Sequence, residues 1–107
     1  MIRHIVLIRF RPDLSEAAIA ALLAPLGPLS RRLGITANWG RSESPEQIER
    51  GYLHGFIADF ASWQALAEYA ADPEHQAFGA GLVAHAVGGI DGVLVFDLAM
   101  SPERSVT

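Results

Sequence analysis

The chain has 107 residues, half of them hydrophobic, and its formal net charge at pH 7 is −4 with the histidines neutral. This length suits one compact domain, and the apolar content excludes disorder except at the chain ends. The absence of cysteine excludes disulfides, thiolate metal sites and a cysteine nucleophile. All eight residues with a permanent positive charge are scattered arginines, so no nucleic-acid or anionic membrane partner is expected, because phosphate binding needs clustered cations.

Neither apolar stretch of the sequence predicts a signal peptide or a membrane span. Residues 1–10 are interrupted by Arg3, His4 and Arg9, and no small-residue cleavage site follows. Residues 82–100 contain two aspartates and three glycines, which makes them too polar to cross a bilayer. We therefore expect a cytoplasmic protein, and the alanine-rich, lysine-free composition indicates the GC-rich genome of a bacterium.

The first third of the chain predicts a strand followed by helical structure. Residues 2–10 are apolar at odd and at even positions, which point to opposite faces of a strand. This pattern predicts a strand covered on both faces. Ser15 predicts the N-cap of a helix whose apolar stripe continues to Leu33. Pro25 and Pro28 interrupt that stripe and predict a kink or two short helices, because each proline removes a backbone donor.

The middle of the chain predicts two further strands joined by a polar loop. Residues 35–41 predict a short strand, and the capping-box pattern of residues 44–47 predicts one helical turn in the loop. Residues 52–60 alternate in the manner of a third strand, with His54 and Phe56 on the same side.

The last part of the chain predicts two helices and a final strand. Ser62 predicts one N-cap, and Asp72 followed by Pro73 predicts the end of that helix and the start of the next. A turn at residues 88–89 precedes a strand at residues 93–100, which is again apolar at both parities. The domain is expected at residues 2–99, with a flexible C-terminal tail at residues 100–107.

The order of these elements predicts an α+β fold of the ferredoxin-like, split βαβ type. Four antiparallel strands form one sheet, and right-handed crossovers place all the helices on one face. The other face is then bare, although the first and last strands are apolar on both sides. Since soluble monomers rarely expose such a surface, two sheets are expected to pack face to face in a homodimer, a dimeric α+β barrel.

Four side chains of this fold are candidates for acid–base chemistry. His4 and His54 share the parity of the buried strand residues, so both are expected under Tyr69 and His75 in a mostly apolar pocket. His75 lies at a helix N-terminus, where the helix dipole favours the neutral imidazole that can accept a proton. Tyr69 can donate its O–H to a carbonyl or a developing oxyanion.

Structural interpretations of the same residues stay open. His75 then caps the helix or bonds the backbone, Tyr69 is a core aromatic, and His4 and His54 are hydrogen-bonded polar groups of a core. Trp39 and Trp63 are expected in the core or a pocket wall. No histidine pair has the i, i+4 spacing of a metal site, so we predict neither a metal nor a cofactor.

Several motifs spread over residues 2–99 carry a family resemblance. They are His4 with residues 5–7, residues 51–54, Phe60 with Ser62, Tyr69 with residues 72–75, and residues 95–97. On these motifs the sequence resembles the stress-responsive A/B barrel (Dabb) family, and the resemblance implies a dimeric α+β barrel.

Trp39 with Gly40 and Phe78 with Gly79 add a resemblance to one branch, the plant polyketide cyclases that form olivetolic acid. That branch implies His75 as a general base supported by Tyr69, with His4 and His54 lining the pocket. Phe56, Trp39 and Phe78 are also expected to bind the substrate.

The resemblance leaves three functions open. The first is a homodimer with an apolar pocket for a small carbonyl or polyketide-like molecule, acting as a cofactor-free cyclase or aldol-type lyase. The second is a non-catalytic stress or ligand-binding barrel protein, and the third is a cofactor-free monooxygenase. The first helix is alanine-rich and offers no tyrosine to the pocket, which leaves the substrate and the pocket size undefined.

Overall fold

The computed structural model describes residues 1–101 and confirms the predicted order of strands and helices. The predicted tail lies, from residue 102 onward, outside the described residues. The elements are β1 (Ile2–Ile8), α1 (Glu16–Leu23), α2 (Leu26–Leu33), β2 (Thr36–Arg41), β3 (His54–Phe60), α3 (Trp63–Ala71), α4 (Pro73–Ala84), a 3₁₀ turn (Gly89–Gly92) and β4 (Val93–Ala99).

The four strands form one antiparallel sheet in the order β2-β3-β1-β4, and the helices cover one of its faces. The strands β1 and β3 alternate between buried and less buried residues along their length, so every second side chain points towards the helices. The ferredoxin-like α+β fold predicted from the sequence is therefore confirmed. The core consists of Val6, Ile8, Phe10, Ile19, Leu23, Leu26, Leu29, Phe56, Ala58, Phe60, Tyr69, Phe78, Leu82 and Ala86.

The helices begin and end where the sequence predicts. Ser15 and Ser62 cap α1 and α3 by accepting hydrogen bonds from Ala18 N and Ala65 N, each at 3.1 Å. The proline-rich segment separates α1 from α2, which confirms the alternative of two short helices. The αL residue Gly34, with φ 68°, ends α2, a conformation that costs glycine little because it has no Cβ.

The predicted helical turn at residues 44–47 is wrong. This segment holds only a turn at Pro45 and Glu46, in which Glu46 N donates to the hydroxyl of Ser44 at 3.3 Å. Gln47 has φ 54°, outside the right-handed helical region, and this prevents the capping-box pattern from continuing into a helix.

The second face of the sheet is covered by no helix within residues 1–101, and we call it the open face. Phe96, 54% exposed, is one of its members, and at one end Arg3 forms a bidentate ion pair with Asp59 at 2.8 and 2.9 Å. A continuous apolar surface of this kind is unusual for a soluble monomer. Its apolar members are Ile5, Leu7, Ile57, Leu94, Phe96 and Leu98.

Candidate functional site

An apolar cavity of about 180 Å³ lies between α4 and the helix-covered face of the sheet. A cavity of about 150 Å³ is already large enough to hold benzene, so this one suits a small organic molecule. Its lining includes four residues predicted for the site. The walls are His4 and Val6 of β1, Phe56 of β3, Val93 and Val95 of β4, and His75, Phe78, Gly79, Leu82 and Val83 of α4.

His75 lies in the first turn of α4 and is positioned by the N-cap of that helix. The carboxylate of Asp72 accepts hydrogen bonds from Glu74 N at 2.9 Å and from His75 N at 3.1 Å. Arg32 Nη2 donates to both oxygens of Asp72, at 2.7 and 2.8 Å, and so ties the end of α2 to this cap. Because Asp72 performs the capping, the imidazole of His75 takes no part in it and faces the cavity.

Tyr69 and His75 stack against each other and leave two polar atoms without partners. Their ring centroids are 4.0 Å apart with the planes at 42°. The hydroxyl of Tyr69 and Nδ1 of His75 are both buried, and neither makes a hydrogen bond of normal geometry within residues 1–101, although the carbonyl of Ala70 is close enough to the His75 ring to raise its pKa. More than nine-tenths of buried polar groups are bonded in folded proteins, so these two atoms are exceptions. His75 lines the cavity, whereas Tyr69 is not among the lining residues and lies behind the wall, in ring contact with His75 and His4.

Burial sets the protonation state of this pair. It lowers the pKa of His75 from its ordinary value, and the neighbouring His4 acts in the same direction, whereas the Ala70 carbonyl and the Asp72 carboxylate oppose the effect. Burial raises the pKa of Tyr69. At neutral pH the pair is therefore an uncharged imidazole, which can accept a proton, and a phenol, which can donate a hydrogen bond.

His4 reaches the cavity with a partner that the sequence analysis missed. Its Nδ1 lies 2.5 Å from Oδ1 of Asp97, and because a carboxylate only accepts, Nδ1 carries the proton. Its ring contacts Tyr69 edge-on, with centroids 5.8 Å apart. Asp97 is the residue directly opposite His4 in the β1–β4 register. The pairing of the two side chains can therefore be predicted from the sequence once that register is known.

The structure does not bring His54 and Trp39 to this cavity. His54 pairs with Ile8 in the β1–β3 register, whereas His4 pairs with Ala58, four residues further along β3 and roughly 13 Å away at the strand rise. Nε2 of His54 lies 2.9 Å from Oε2 of Glu16, and this hydrogen bond lowers the pKa of the Glu16 carboxyl. Trp39 is 43% exposed and lines a different recess.

The prediction that Trp63 lies in the core or in a pocket wall is wrong. Trp63 is the first residue of α3 and is 57% exposed, because the apolar stripe of α3 meets the core only at Ala65, Leu66 and Tyr69.

No group of three histidine, aspartate or glutamate side chains within residues 1–101 is placed to hold a metal ion. The prediction that the protein uses no metal stays a prediction.

These features define a class: a four-stranded ferredoxin-like domain with helices on one face of its sheet and an apolar cavity beneath α4. The chain matches the family described as the Stress responsive A/B Barrel Domain over residues 2–100. It therefore belongs to the stress-responsive A/B barrel domain family, as the sequence motifs indicate.

The relatives span nearly all of this chain. A stress-response A/B barrel domain-containing protein, HS1, from Arabidopsis thaliana is 32% identical over 98 residues, which are 90% of this chain and 86% of that protein. A dimeric ferredoxin-like protein of unknown function from Jannaschia sp. CCS1 superposes with a TM-score of 0.84 at 34% identity, covering 92% of this chain and 98% of its own. A crystal structure from Arabidopsis thaliana gives a TM-score of 0.83 at 28% identity, with 98% and 100% coverage.

None of the helices within residues 1–101 is both long enough and apolar enough to cross a bilayer.

Proposed function

We propose that the protein binds a small carbonyl compound in the cavity under α4 and removes a proton from the carbon next to the carbonyl group, without a cofactor. One observation carries this proposal: the buried Tyr69 hydroxyl and Nδ1 of His75 have no hydrogen-bond partner within residues 1–101, and the two rings stack where His75 lines an apolar cavity. A base and an oxyanion donor are the two groups that enolisation requires.

The chemistry follows from the states of the two groups. Neutral His75 takes the proton from carbon, the electron pair of the broken C–H bond forms a C=C bond to the carbonyl carbon, and the π pair of the C=O bond moves onto the oxygen. The O–H of Tyr69 donates to that oxygen, where the negative charge develops, and the raised pKa of Tyr69 keeps this donor protonated. The enolate then attacks a second carbonyl, as in an aldol-type cyclisation, or takes the proton back.

His4 and Asp97 complete the site in this proposal. The carboxylate of Asp97 accepts from Nδ1 of His4, which leaves the other ring nitrogen of His4 without that proton. Phe56 and Phe78 pack against each other with centroids 5.5 Å apart and supply an apolar wall. The cavity of about 180 Å³ supports a short or monocyclic substrate rather than a long polyketide.

The test uses exchange of carbon-bound protons. The protein is incubated in D2O with a panel of small ketones, aldehydes and triketides, and deuterium incorporation is followed by NMR. His75→Ala is expected to lower the exchange rate by about 10²–10⁴-fold, the usual contribution of a positioned base. His85→Gln is the matched control, because His85 bonds the carbonyl of Gly81 at the other end of α4 and should not affect exchange.

Two results separate the possible functions. An exchange rate in His75→Ala equal to that of the unmodified protein contradicts the mechanism. Saturable binding of panel compounds without exchange by the unmodified protein instead supports the non-catalytic ligand-binding barrel. The cytoplasmic location and the bacterial origin stay predictions.

We also propose that the protein forms a homodimer through the open face. The apolar members of this face have no covering element within residues 1–101, and Leu94, Phe96 and Leu98 are all at least 41% exposed. The relative from Jannaschia sp. CCS1, 34% identical, is described as dimeric. A sedimentation experiment at micromolar concentration tests this, since a monomer there contradicts it.

A further inference from the structure

Position 79 of α4 lies on the wall of the cavity and carries no side chain. Gly79 sits in the interior of the helix, where glycine is the least favourable residue after proline. A Cβ at Gly79 would meet no atom of residues 1–101 within 4 Å outside its own stretch of helix, so packing within the protomer does not require glycine there. The volume that a side chain would fill belongs to the cavity.

The cavity has a polar end and an apolar end. The rings of His4 and His75 both contact the ring of Tyr69, with centroids 5.8 and 4.0 Å from it. The two histidines of the lining therefore share one end of the cavity. From His4 the helix-covered face continues along β1 to Val6, which pairs with Val95 of β4, and the wall becomes apolar.

The row of α4 that faces the cavity runs in the same direction as β1. His75, Gly79 and Val83 all line the cavity and follow each other at four-residue intervals, which places them on one side of the helix. The end of α4 lies beside the end of β1, since Ala86 forms a bridge with Phe10. Val83 therefore lies at the apolar end.

Gly79 lies at the level between the two ends. Four residues of α4 separate it from His75, a rise of about 6 Å, and two residues of β1 separate His4 from Val6, a rise of about 6.6 Å. Gly79 and Val6 are therefore level with each other on opposite walls. A ligand that reaches from the polar end to the apolar end passes between them, and the missing side chain of Gly79 leaves room for it.

We infer that Gly79 is a specificity-determining residue, over which an apolar substituent of the substrate passes while the carbonyl group lies against His75. This inference rests on the proposed enolisation and names its substrate class: carbonyl compounds with an alkyl or aryl substituent. Leu82, Val83 and Val93 line the apolar end, where they give such a substituent apolar contacts and a polar one no hydrogen-bond partner.

The experiment measures the binding of unbranched 2-alkanones, from 2-butanone to 2-octanone, by calorimetry, and the deuterium exchange of the same compounds by NMR. The affinity of the unmodified protein should rise about fourfold per added methylene until the apolar end is filled, because each buried CH₂ contributes about 0.8 kcal/mol. Gly79→Val should lower the affinity for 2-heptanone at least tenfold more than the affinity for 2-butanone, because the branched side chain fills the passage. Gly79→Ala should have a smaller effect of the same kind, and it is expected to fold because alanine favours a helix.

Gly81→Val and Gly81→Ala are the matched controls. Gly81 lies in the interior of the same helix, and a Cβ there would likewise meet no atom of residues 1–101 within 4 Å outside its own stretch of helix. Gly81 is not among the lining residues of the cavity, so both variants should keep the dependence of affinity on chain length. Urea denaturation checks that the variants at positions 79 and 81 are equally well folded.

The outcomes separate this inference from the proposed function. Equal losses of affinity for short and long ketones in Gly79→Val and Gly79→Ala, or the same selective loss in the Gly81 variants, overturn the inference and leave exchange that depends on His75 intact. Binding that depends on chain length and on Gly79, without exchange by the unmodified protein, contradicts the enolisation and supports the role of Gly79. An affinity that does not rise with chain length in the unmodified protein overturns the inference, and failure to bind or exchange any ketone overturns both.

Discussion

At the scale of single residues, His75 contributes to the dependence of stability on pH. Its folded-state pKa is lowered from the ordinary 6.5, chiefly by burial, so the unfolded chain binds the proton more readily. The resulting stability is fully present above pH 6.5 and is lost as the pH falls through the folded-state pKa. An NMR titration of the His75 ring should therefore give a value below 6.5, and His75→Gln should flatten the acid limb of the thermal stability profile. A value above 6.5 contradicts the geometry, and His85→Gln controls for the loss of a histidine as such.

Asp97 offers a second residue-level prediction. An asparagine there can donate through its amide NH₂, so Asp97→Asn no longer requires the proton on Nδ1 of His4. We expect the ¹⁵N shifts of the His4 ring to report the other tautomer, and the exchange rate to fall by about 10²-fold. Asp13→Asn is the control, because Asp13 forms only an exposed ion pair with Arg11. Unchanged ¹⁵N shifts of His4 in Asp97→Asn would show that Asp97 does not set the tautomer.

At the scale of elements, the N-cap of α4 links stability to the site. Asp72→Ala removes the acceptor for the backbone N–H of His75 and the partner of Arg32, and should lower the free energy of unfolding by about 1 kcal/mol, measured by urea denaturation. The exchange rate should fall as well, because the cap positions the imidazole. Ser15→Ala, which removes the cap of α1, should cost similar stability and leave the rate unchanged. Equal rates in Asp72→Ala and Ser15→Ala would mean that the cap has no positioning role.

The elements also show how far the sequence could predict this protein. Alternation along residues 54–60 and the proline break before α2 are local signals, and both were sufficient to place their elements. The separation of His4 from His54 is not local, because both lie on the same face and only the β1–β3 register shows that they are far apart. For the same reason Asp97 could not be assigned to His4 from spacing alone. The exposure of Trp63 depends on how α3 is rotated against the core, which its sequence does not determine.

At the scale of the whole molecule, the open face makes stability depend on protein concentration. A dimer that buries Phe96 and its neighbours is favoured by mass action, so the melting temperature should rise with concentration. Phe96→Asp introduces a charge that the buried interface cannot solvate, and it should give a monomer at micromolar concentration with a melting temperature independent of dilution. Ile90→Asp is the matched control, since Ile90 is 67% exposed in the 3₁₀ turn rather than on the sheet, and it should still dimerise. If Phe96→Asp sediments as the unmodified protein does, the sheet faces are not the interface, and the helix-covered site must then work within a single chain.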